Sequence, residues 1–365
     1  MSALLSALKS RGPGLAAAVA TAAGATVVAS QLPSSLHISA IPVSIVLGGV
    51  AANMAPASVV ASLQPGIKLA TSTVLRAGIV CVGAKLSAAQ ILALGWTTVP
   101  AAACSVGAGI TLIPIMAARA GLAPRLGALL AAGTSICGVT AISAVAPAIG
   151  ATQAEVAVAV ANVVAFGSLG MLLYPHVAAT LFPPSDSKSI GLFLGLAVHD
   201  TAQVMGCAAS YAEQYSDAAV VGAAAVAKLT RNVFLAGVVP LMAVRHGGAG
   251  AAGSSLASAV PTFVLGFVAM AAVRTAGDYQ ISSGGHALGL LDAKRWKESA
   301  DWLGGVLGTK VLLGTGLAGV GLSVNVEAFR GAGVKPFVVG AAGASLVGGV
   351  GLAVALLISR TTAAA

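Results

Sequence analysis

The sequence predicts an all-α polytopic membrane protein, on the strength of its composition and its apolar runs. Of 365 residues, 58% are hydrophobic and 8% are charged, and the mean hydropathy is +0.97. A soluble chain needs about a quarter of its residues charged to cover its surface. Runs long enough to cross a bilayer as helix recur from end to end. They show no strict alternation of apolar and polar residues, which disfavours a barrel of strands.

About eleven transmembrane helices are predicted from these runs. They cover approximately residues 15–31, 40–60, 69–84, 90–118, 126–149, 155–181, 190–209, 218–243, 256–273, 302–324 and 337–358. We predict one transmembrane domain over 1–365, with a cytosolic lead at 1–14 and a longer polar loop at 274–301.

The basic residues between the runs predict an orientation rather than a nucleic-acid partner. The formal charge is +9, but the basic residues are scattered and only 4% of the chain is aromatic, which is not typical of a nucleic-acid surface. Basic residues flank loops on one predicted side: Lys9, Arg11, Arg119, Arg125, Arg245, His246, Arg330 and Lys335. Acidic residues lie in the opposite loops: Glu155, Glu213 and Asp217. The positive-inside rule then places the N-terminus inside and the C-terminus outside.

Several ionisable residues lie inside the apolar runs. They are His199 and Asp200 in the seventh, Lys228 and Arg231 in the eighth, and Arg76 in the third. A charge at the bilayer centre costs on the order of 3 kcal/mol, so such residues tend to face a cavity or a partner. Three cations outnumber one carboxylate, which favours a site for an anion. The alternative is a structural ion pair in which Asp200 neutralises Lys228 or Arg231.

Spacing predicts shared faces among these residues. His199 and Gln203 are four apart, and Lys228 and Arg231 are three apart, so each pair would share a helix face.

A second polar cluster, "GTSICG" at 133–138, lies inside the fifth run. It contains Ser135, Cys137 and Gly138, and Pro147 follows in the same run. These residues weaken a helical ladder, and a broken helix exposes backbone N–H groups that can bind an anion. Gly and Ser also serve as packing residues between membrane helices, so the pattern has a structural alternative.

Two pairs of similar segments predict that the chain contains repeated halves. The segment 77–95, "AGIVCVGAKLSAAQILALG", resembles 315–333, "TGLAGVGLSVNVEAFRGAG". Separately, 135–175 can be laid on 200–240, each being an interrupted run, an acidic loop and a long run ending in Pro. Repeated halves with interrupted helices are how secondary transporters build a site near the bilayer midplane.

At these residues the chain resembles the YeiH family of bacterial membrane proteins, which carries the label of sulfate exporter. The matching stretches are 75–79, 135–138 ("SICG"), 156–175, 198–204, 228–231 ("KLTR") and 319–323, in the order of the family. The resemblance implies a fold related to the cation/proton antiporter and bile-acid symporter group, with inverted repeats and crossed, discontinuous helices. Asp200 stands where the family often has Glu, which shortens the reach of the carboxylate.

The expected function is secondary transport of a small anion, sulfate or a sulfonate. Lys228 and Arg231, helped by Arg76, Gln203 and the segment 135–138 with Ser135, Cys137 and Gly138, would bind the anion, and His199 with Asp200 would carry a proton. Imidazole suits this coupling because its reference pKa lies near neutrality. A sodium-coupled organic-anion carrier and a passive anion channel remain alternatives. An intramembrane enzyme is disfavoured, since the sequence has no HExxH or GxSxG motif.

Neither a cofactor nor a metal ion is predicted. The four cysteines form no CxxC pair, and there is no GxxxxGK[ST] loop for a nucleotide. The expected partners are therefore the small anion, a proton or sodium as coupling ion, and the lipid bilayer. The expected location is the cytoplasmic membrane of a bacterium, or an organelle membrane in a eukaryote. Transport direction and a homo-oligomeric state are left open.

Overall fold

A computed structural model of the protein describes residues 2–32, 40–85, 88–246, 262–324 and 333–363. Its helices are α1 (Ser2–Gln31), α2 (Ala40–Met54), α3 (Ala57–Leu69), α4 (Leu75–Val82), α5 (Ala88–Arg119), α6 (Pro124–Ser135), α7 (Val139–Ala148), α8 (Gln153–Leu181), α9 (Ser187–Ala197), α10 (Thr201–Tyr215), α11 (Ala219–Val233), α12 (Leu235–Arg245), α13 (Thr262–Ser282), α14 (Ala293–Asp301), α15 (Gly314–Leu322) and α16 (Val334–Ala363). π-Helical segments Ala70–Val74 and Trp302–Leu313 join α3 to α4 and α14 to α15, and the 3₁₀ segment Gly83–Lys85 follows α4.

The described residues form an all-α polytopic membrane protein, as predicted. Within them, seven helical stretches are long and apolar enough to cross a bilayer: Ser10–Gln31, Ala57–Lys85, Thr97–Arg119, Ala154–Leu181, Ala219–Arg245, Ala293–Leu322 and Val334–Thr361. Three shorter apolar helices are also present: Ala40–Met54, Val139–Ala148 and Ser187–Ala197. The predicted total of about eleven spans stays a prediction.

The predicted boundaries near residue 60 are wrong. The run 40–60 is divided at Pro56, which is the N-cap of α3. Proline lacks the N–H needed to continue α2, so a new helix begins at Ala57. That helix continues without interruption to Lys85, which includes the run predicted separately as 69–84.

The segment 274–301 is mainly helical rather than a loop. Helix α13 extends to Ser282 and α14 begins at Ala293, with Asp292 as its N-cap accepting from the Arg295 N–H at 2.8 Å. Asp278 accepts both Arg274 Nε at 2.9 Å and Trp296 Nε1 at 2.8 Å, which ties α14 to α13. The predicted run 256–273 is helical from Thr262, and its part at 256–261 lies outside the described residues, as does Arg330.

The chain divides into two compact units. Unit 1 comprises Met1–Leu92 and Thr262–Asn325, and unit 2 comprises Ala93–Pro261 and Val326–Ala365. Within unit 1, α15 packs against α1 and α2. A Cβ on Gly48 would lie 2.7 Å from the Ala318 oxygen, so this helix contact depends on glycine.

Unit 2 contains two interrupted helices, as the sequence predicted. The run 126–149 forms α6 and α7 with a break at 136–138, and the run 190–209 forms α9 and α10 with a break at 198–200. After each break come a helix, an acidic connection and a long apolar stretch, α8 in one case and α11 with α12 in the other. This order of elements matches the predicted similarity between the segments 135–175 and 200–240. The inverted relation of the repeats stays a prediction.

Candidate functional site

The break between α6 and α7 is built on Gly138. Its φ of 70° and ψ of −127° lie in a backbone region that residues other than glycine rarely adopt. Its N–H bonds the Gly133 oxygen at 3.0 Å, which closes the end of α6, and its oxygen accepts the Ile142 N–H at 3.2 Å, which begins α7. The chain thus turns within 136–138 and leaves the end of one helix beside the start of the next.

The break between α9 and α10 is built on an aspartate cap. Val198 takes an extended conformation after α9, and Asp200 is the N-cap of α10. Asp200 Oδ1 accepts the Ala202 N–H at 2.8 Å. A carboxylate at this position satisfies an N–H group that has no partner inside the helix and opposes the positive end of the helix dipole.

Helix α11 approaches these breaks because α9 carries two glycines facing it. A Cβ on Gly195 would lie 2.6 Å from the Ala224 oxygen and 2.7 Å from the Ala227 Cβ. A Cβ on Gly191 would lie 2.8 Å from the Ala224 nitrogen. Small residues four apart permit this close approach of two membrane helices. Gly195 and Gly191 therefore serve the packing of α9 against α11.

Lys228 of α11 bonds both breaks. The side chain is completely buried, and Nζ donates to the Ile136 oxygen at 2.7 Å and the Val198 oxygen at 3.1 Å. Nζ also donates to the His199 oxygen. Three acceptors match the three N–H groups of an ammonium.

Arg231 lies one turn later and bonds the same helix ends. It is also completely buried, and Nε donates to the Ser135 oxygen at 2.6 Å. Its Nη1 donates to the Leu196 oxygen and its Nη2 to the Thr134 oxygen. The last carbonyls of a helix lack intrahelical partners and carry its negative partial charge, so two cations here stabilise the ends of α6 and α9. The shared face predicted for Lys228 and Arg231 is confirmed.

The starts of α7 and α10 meet at the same place. A Cβ on Gly138 would lie 3.1 Å from both Cβ and Oδ2 of Asp200 and 3.2 Å from Cγ1 of Val163. Asp200, which is the N-cap of α10, therefore lies against Gly138, the N-cap of α7. We call the two breaks, 136–138 and 198–200, with Lys228 and Arg231, the junction. Its negative helix ends face two cations and its positive helix ends face a carboxylate.

Several buried polar atoms of unit 2 lack partners among the described residues. They are Ser135 Oγ, His199 Nδ1, Gln203 Oε1, Asn232 Oδ1 and Asn162 Oδ1. Each of these residues is at most 3% exposed. An unsatisfied buried polar atom costs about 1–3 kcal/mol, so each of these positions is a place where a water, an ion or a ligand can bind.

The predicted site residues separate into two groups. Ser135, Cys137, Gly138, His199, Asp200, Lys228 and Arg231 come together at the junction. Gln203 instead donates to the Val164 oxygen at 3.1 Å and to Ser168 Oγ at 3.0 Å, so its amide nitrogen faces α8. Arg76 belongs to unit 1, where its guanidinium lies 5.7 Å from the centre of the Phe263 ring.

The predicted shared helix face of His199 and Gln203 is wrong. His199 precedes the N-cap of α10, whereas Gln203 lies within the helix, so the two do not share a helical face. The i, i+4 rule holds only where both residues are helical.

Three buried polar residues of unit 2, Asn232, Thr201 and Asn162, were not predicted as site residues. Asn232 Nδ2 donates to Thr201 Oγ1 at 3.2 Å, joining α11 to the start of α10. Asn162 of α8 is 1% exposed, and its Nδ2 donates to the Val158 oxygen at 2.9 Å. The sequence could have identified both asparagines. Asn232 follows Lys228 by four residues and so shares its helix face, and Asn162 is a polar residue inside an apolar run.

The family of the chain is given by comparison with known proteins. A family described as conserved hypothetical protein 698 matches residues 13–340. A UPF0324 membrane protein of Agrobacterium fabrum is 30% identical over 282 residues, which cover 77% of this chain and 74% of that protein. Another from Corynebacterium glutamicum is 31% identical over 300 residues, covering 80% of this chain and 79% of that protein.

A third relative, from Listeria monocytogenes, is 28% identical over 293 residues and covers 80% of each chain. No solved structure matches this protein. As the stretches at 135–138, 198–204 and 228–231 predicted, the chain belongs to the conserved hypothetical protein 698 family, the YeiH-type UPF0324 membrane proteins.

Proposed function

We propose that this protein is a secondary transporter of a small anion and that the anion binds at the junction. The observation that carries the proposal is the meeting of two broken helices around buried charge in a polytopic membrane protein. Backbone interrupted at membrane depth is tolerated where it is buried in protein or lines a cavity, and transporters use such breaks to bind substrate.

The charge at the junction favours an anion. Lys228 and Arg231 against Asp200 give a formal excess of one positive charge among the described junction residues. The four helix ends contribute about half a charge each and cancel in pairs, two negative against two positive. An incoming anion is therefore attracted to the junction, and a cation is repelled.

The positive charge of Lys228 and Arg231 does not make these side chains direct ligands of the anion. Each hydrogen-bonds three backbone carbonyls. The N–H groups at the starts of α7 and α10 are better placed to bind an anion, because the first N–H groups of a helix have no intrahelical acceptor. Lys228 and Arg231 then act through their charge, while the backbone of 135–138, with Ser135 contributing its carbonyl and Cys137 its side chain, lines the site.

Sulfate, or a sulfonate with the same head group, is the first substrate to test. Its oxygens accept hydrogen bonds from several directions, which suits two converging helix N-termini. His199 and Asp200 are the groups proposed to couple transport to protons, since both lie in the break of α9 and α10.

Sodium coupling is a second candidate, which a separate observation favours. The unpartnered oxygens of Asn162, Gln203 and Asn232 belong to buried amides on α8, α10 and α11. Carbonyl-type oxygens are ligands for hard cations, as they are for calcium. A sodium-coupled organic-anion carrier would use such oxygens.

Uptake of labelled sulfate into proteoliposomes tests the proposal. We expect saturable uptake that an imposed pH gradient drives. Uptake driven by a sodium gradient instead would select the second candidate, and flux that does not saturate would indicate a passive channel. Absence of uptake by folded protein would remove sulfate and require sulfonates and carboxylates to be tested next.

Two variants and a matched control assign the site. Asp200→Asn should abolish the response to the pH gradient, and Lys228→Met should abolish uptake. Lys188→Met makes the same chemical change in the first turn of α9, away from the break, and should preserve uptake. If both junction variants kept gradient-driven uptake while remaining folded, the junction would not be the site.

A further inference from the structure

The carboxylate of Asp200 already occupies the place that suits an anion. Its Oδ1 accepts the Ala202 N–H at 2.8 Å, at the start of α10. Its Oδ2 lies 3.1 Å from the position that a Cβ on Gly138 would take, at the start of α7. One carboxylate thus lies against the positive ends of two helices.

Gly138 makes this approach possible. A side chain there would contact the Asp200 carboxylate, and the positive φ already excludes most residues. The cations cannot easily turn toward another anion, because Lys228 uses all three ammonium hydrogens on carbonyls of the two breaks. The helix N-termini are therefore the donors for which Asp200 and an external anion would compete.

We propose that Asp200 is a tethered anion that competes with the transported anion for the starts of α7 and α10, and that a proton on Asp200 releases this place to the substrate. The inference rests on the proposed function and assigns its coupling to a single side chain. His199 Nδ1, buried in the same break without a partner among the described residues, is a second polar atom available to the bound anion.

The charges around Asp200 determine how many protons bind with each anion. Lys228 of α11 faces it with positive charge, and Arg231 adds a second positive charge one turn further along the same helix. Cys137 at the other break and His199 in its own break are the neighbouring titratable groups, and α8 presents Val163. With Cys137 and His199 neutral, the formal charge is +1 when Asp200 is ionised and +2 when it is protonated. A dianion such as sulfate is therefore neutralised completely only when one proton binds with it.

This coupling predicts a pH dependence of binding rather than of folding. Where Asp200 is ionised in the free protein, each bound sulfate takes up one proton. The dissociation constant should then rise about tenfold for each unit of increase in pH, since binding and protonation are linked reciprocally. A purely structural cap would not produce this slope.

Equilibrium binding of labelled sulfate to the purified protein across a series of pH values tests the inference. Wild type should show the tenfold slope, and Asp200→Asn should bind with no slope, because asparagine preserves the cap and removes the charge. Asp200→Glu should keep a slope. Asp186→Asn is the matched control, since Asp186 caps α9 by accepting the Ser189 N–H at 3.0 Å, and it should behave as wild type.

Two results would overturn the inference: a slope that persists in Asp200→Asn, or the failure of folded Asp200→Asn to bind sulfate, phosphate, nitrate or methanesulfonate at any pH. The proposed function would survive either result if wild-type proteoliposomes still transported an anion with saturation. Conversely, a tenfold slope in wild type that is lost in Asp200→Asn, without saturable transport by wild type, would support the inference and contradict the proposed function.

Discussion

Lys228 and Arg231, one turn apart on α11, each hydrogen-bond carbonyl oxygens from both broken helices of unit 2. Lys228 bonds Ile136 and Val198, and Arg231 bonds Ser135 and Leu196. The two cations therefore hold the ends of α6 and α9 together. They donate to carbonyls that the breaks leave without intrahelical partners. These hydrogen bonds explain how the fold accommodates two completely buried charges.

Replacing Lys228 should destabilise the protein in the absence of any substrate. Lys228→Met leaves three buried carbonyls without a donor, and each unsatisfied group costs about 1–3 kcal/mol. We expect a loss of about 3 kcal/mol or more, measured as a lower midpoint of thermal unfolding in detergent. Lys188→Met should shift stability by less than about 0.5 kcal/mol, as surface changes usually do. Equal midpoints for the two variants would mean that Lys228 does not hold the breaks.

Contact between α9 and α11 should depend on Gly195. Gly195→Ala introduces a Cβ 2.6 Å from the Ala224 oxygen, so α11 must move away. Overpacking of this kind costs about 1–3 kcal/mol. Gly237→Ala in α12 is the control, because nothing lies within 4 Å of its Cβ position. That change should be neutral or stabilising by up to about 1 kcal/mol, and a loss of stability equal to that of Gly195→Ala would refute the close packing.

Two glycines with positive φ test the backbone strain and the Asp200 contact at the first break. Gly150→Ala meets open space at a φ of 62°, so only the strain of about 1–2 kcal/mol applies. Gly138→Ala combines a more strained backbone, at a φ of 70° and a ψ of −127°, with a collision against the Asp200 side chain, and should lose more stability. Thermal unfolding of both variants measures the difference. Equal losses would indicate that Asp200 does not lie against α7.

The distribution of charge between helices predicts the orientation of the protein in the membrane. Ala123 adjoins Arg125 in the connection before α6, and Ala218 adjoins Asp217 in the connection before α11. In a background without native cysteines, an impermeant maleimide should label Ala218→Cys in intact cells and Ala123→Cys only after permeabilisation. The reverse pattern would overturn the predicted orientation.

The two breaks were predictable because their causes are local. Gly138 permits a backbone conformation that ends a helix, and Asp200 is a strong N-cap inside an apolar run. Pro56 carried an equally local signal, but the apolar run continues across it, so hydropathy alone placed the boundary wrongly. The polar composition of 274–301 suggested a loop, whereas the Asp292 cap and the Asp278 bonds stabilise helix there.

The partners of Lys228 and Arg231 could not be predicted from the sequence. Their spacing fixes a shared helix face, which the structure confirms, but a cationic face can bind an anion or a row of carbonyls equally well. The choice depends on α6 and α9 ending against α11, which is a tertiary relation. The approach of Asp200 to Gly138 is of the same kind, since 62 residues separate them in sequence.

Selenate, a sulfate analogue whose anomalous scattering locates it, offers the most direct test of where the anion binds. We predict a peak at the junction in a crystal of the Asp200→Asn protein, within hydrogen-bonding distance of the first N–H groups of α7 and α10. A peak elsewhere in unit 2, or none at saturating selenate, would contradict it.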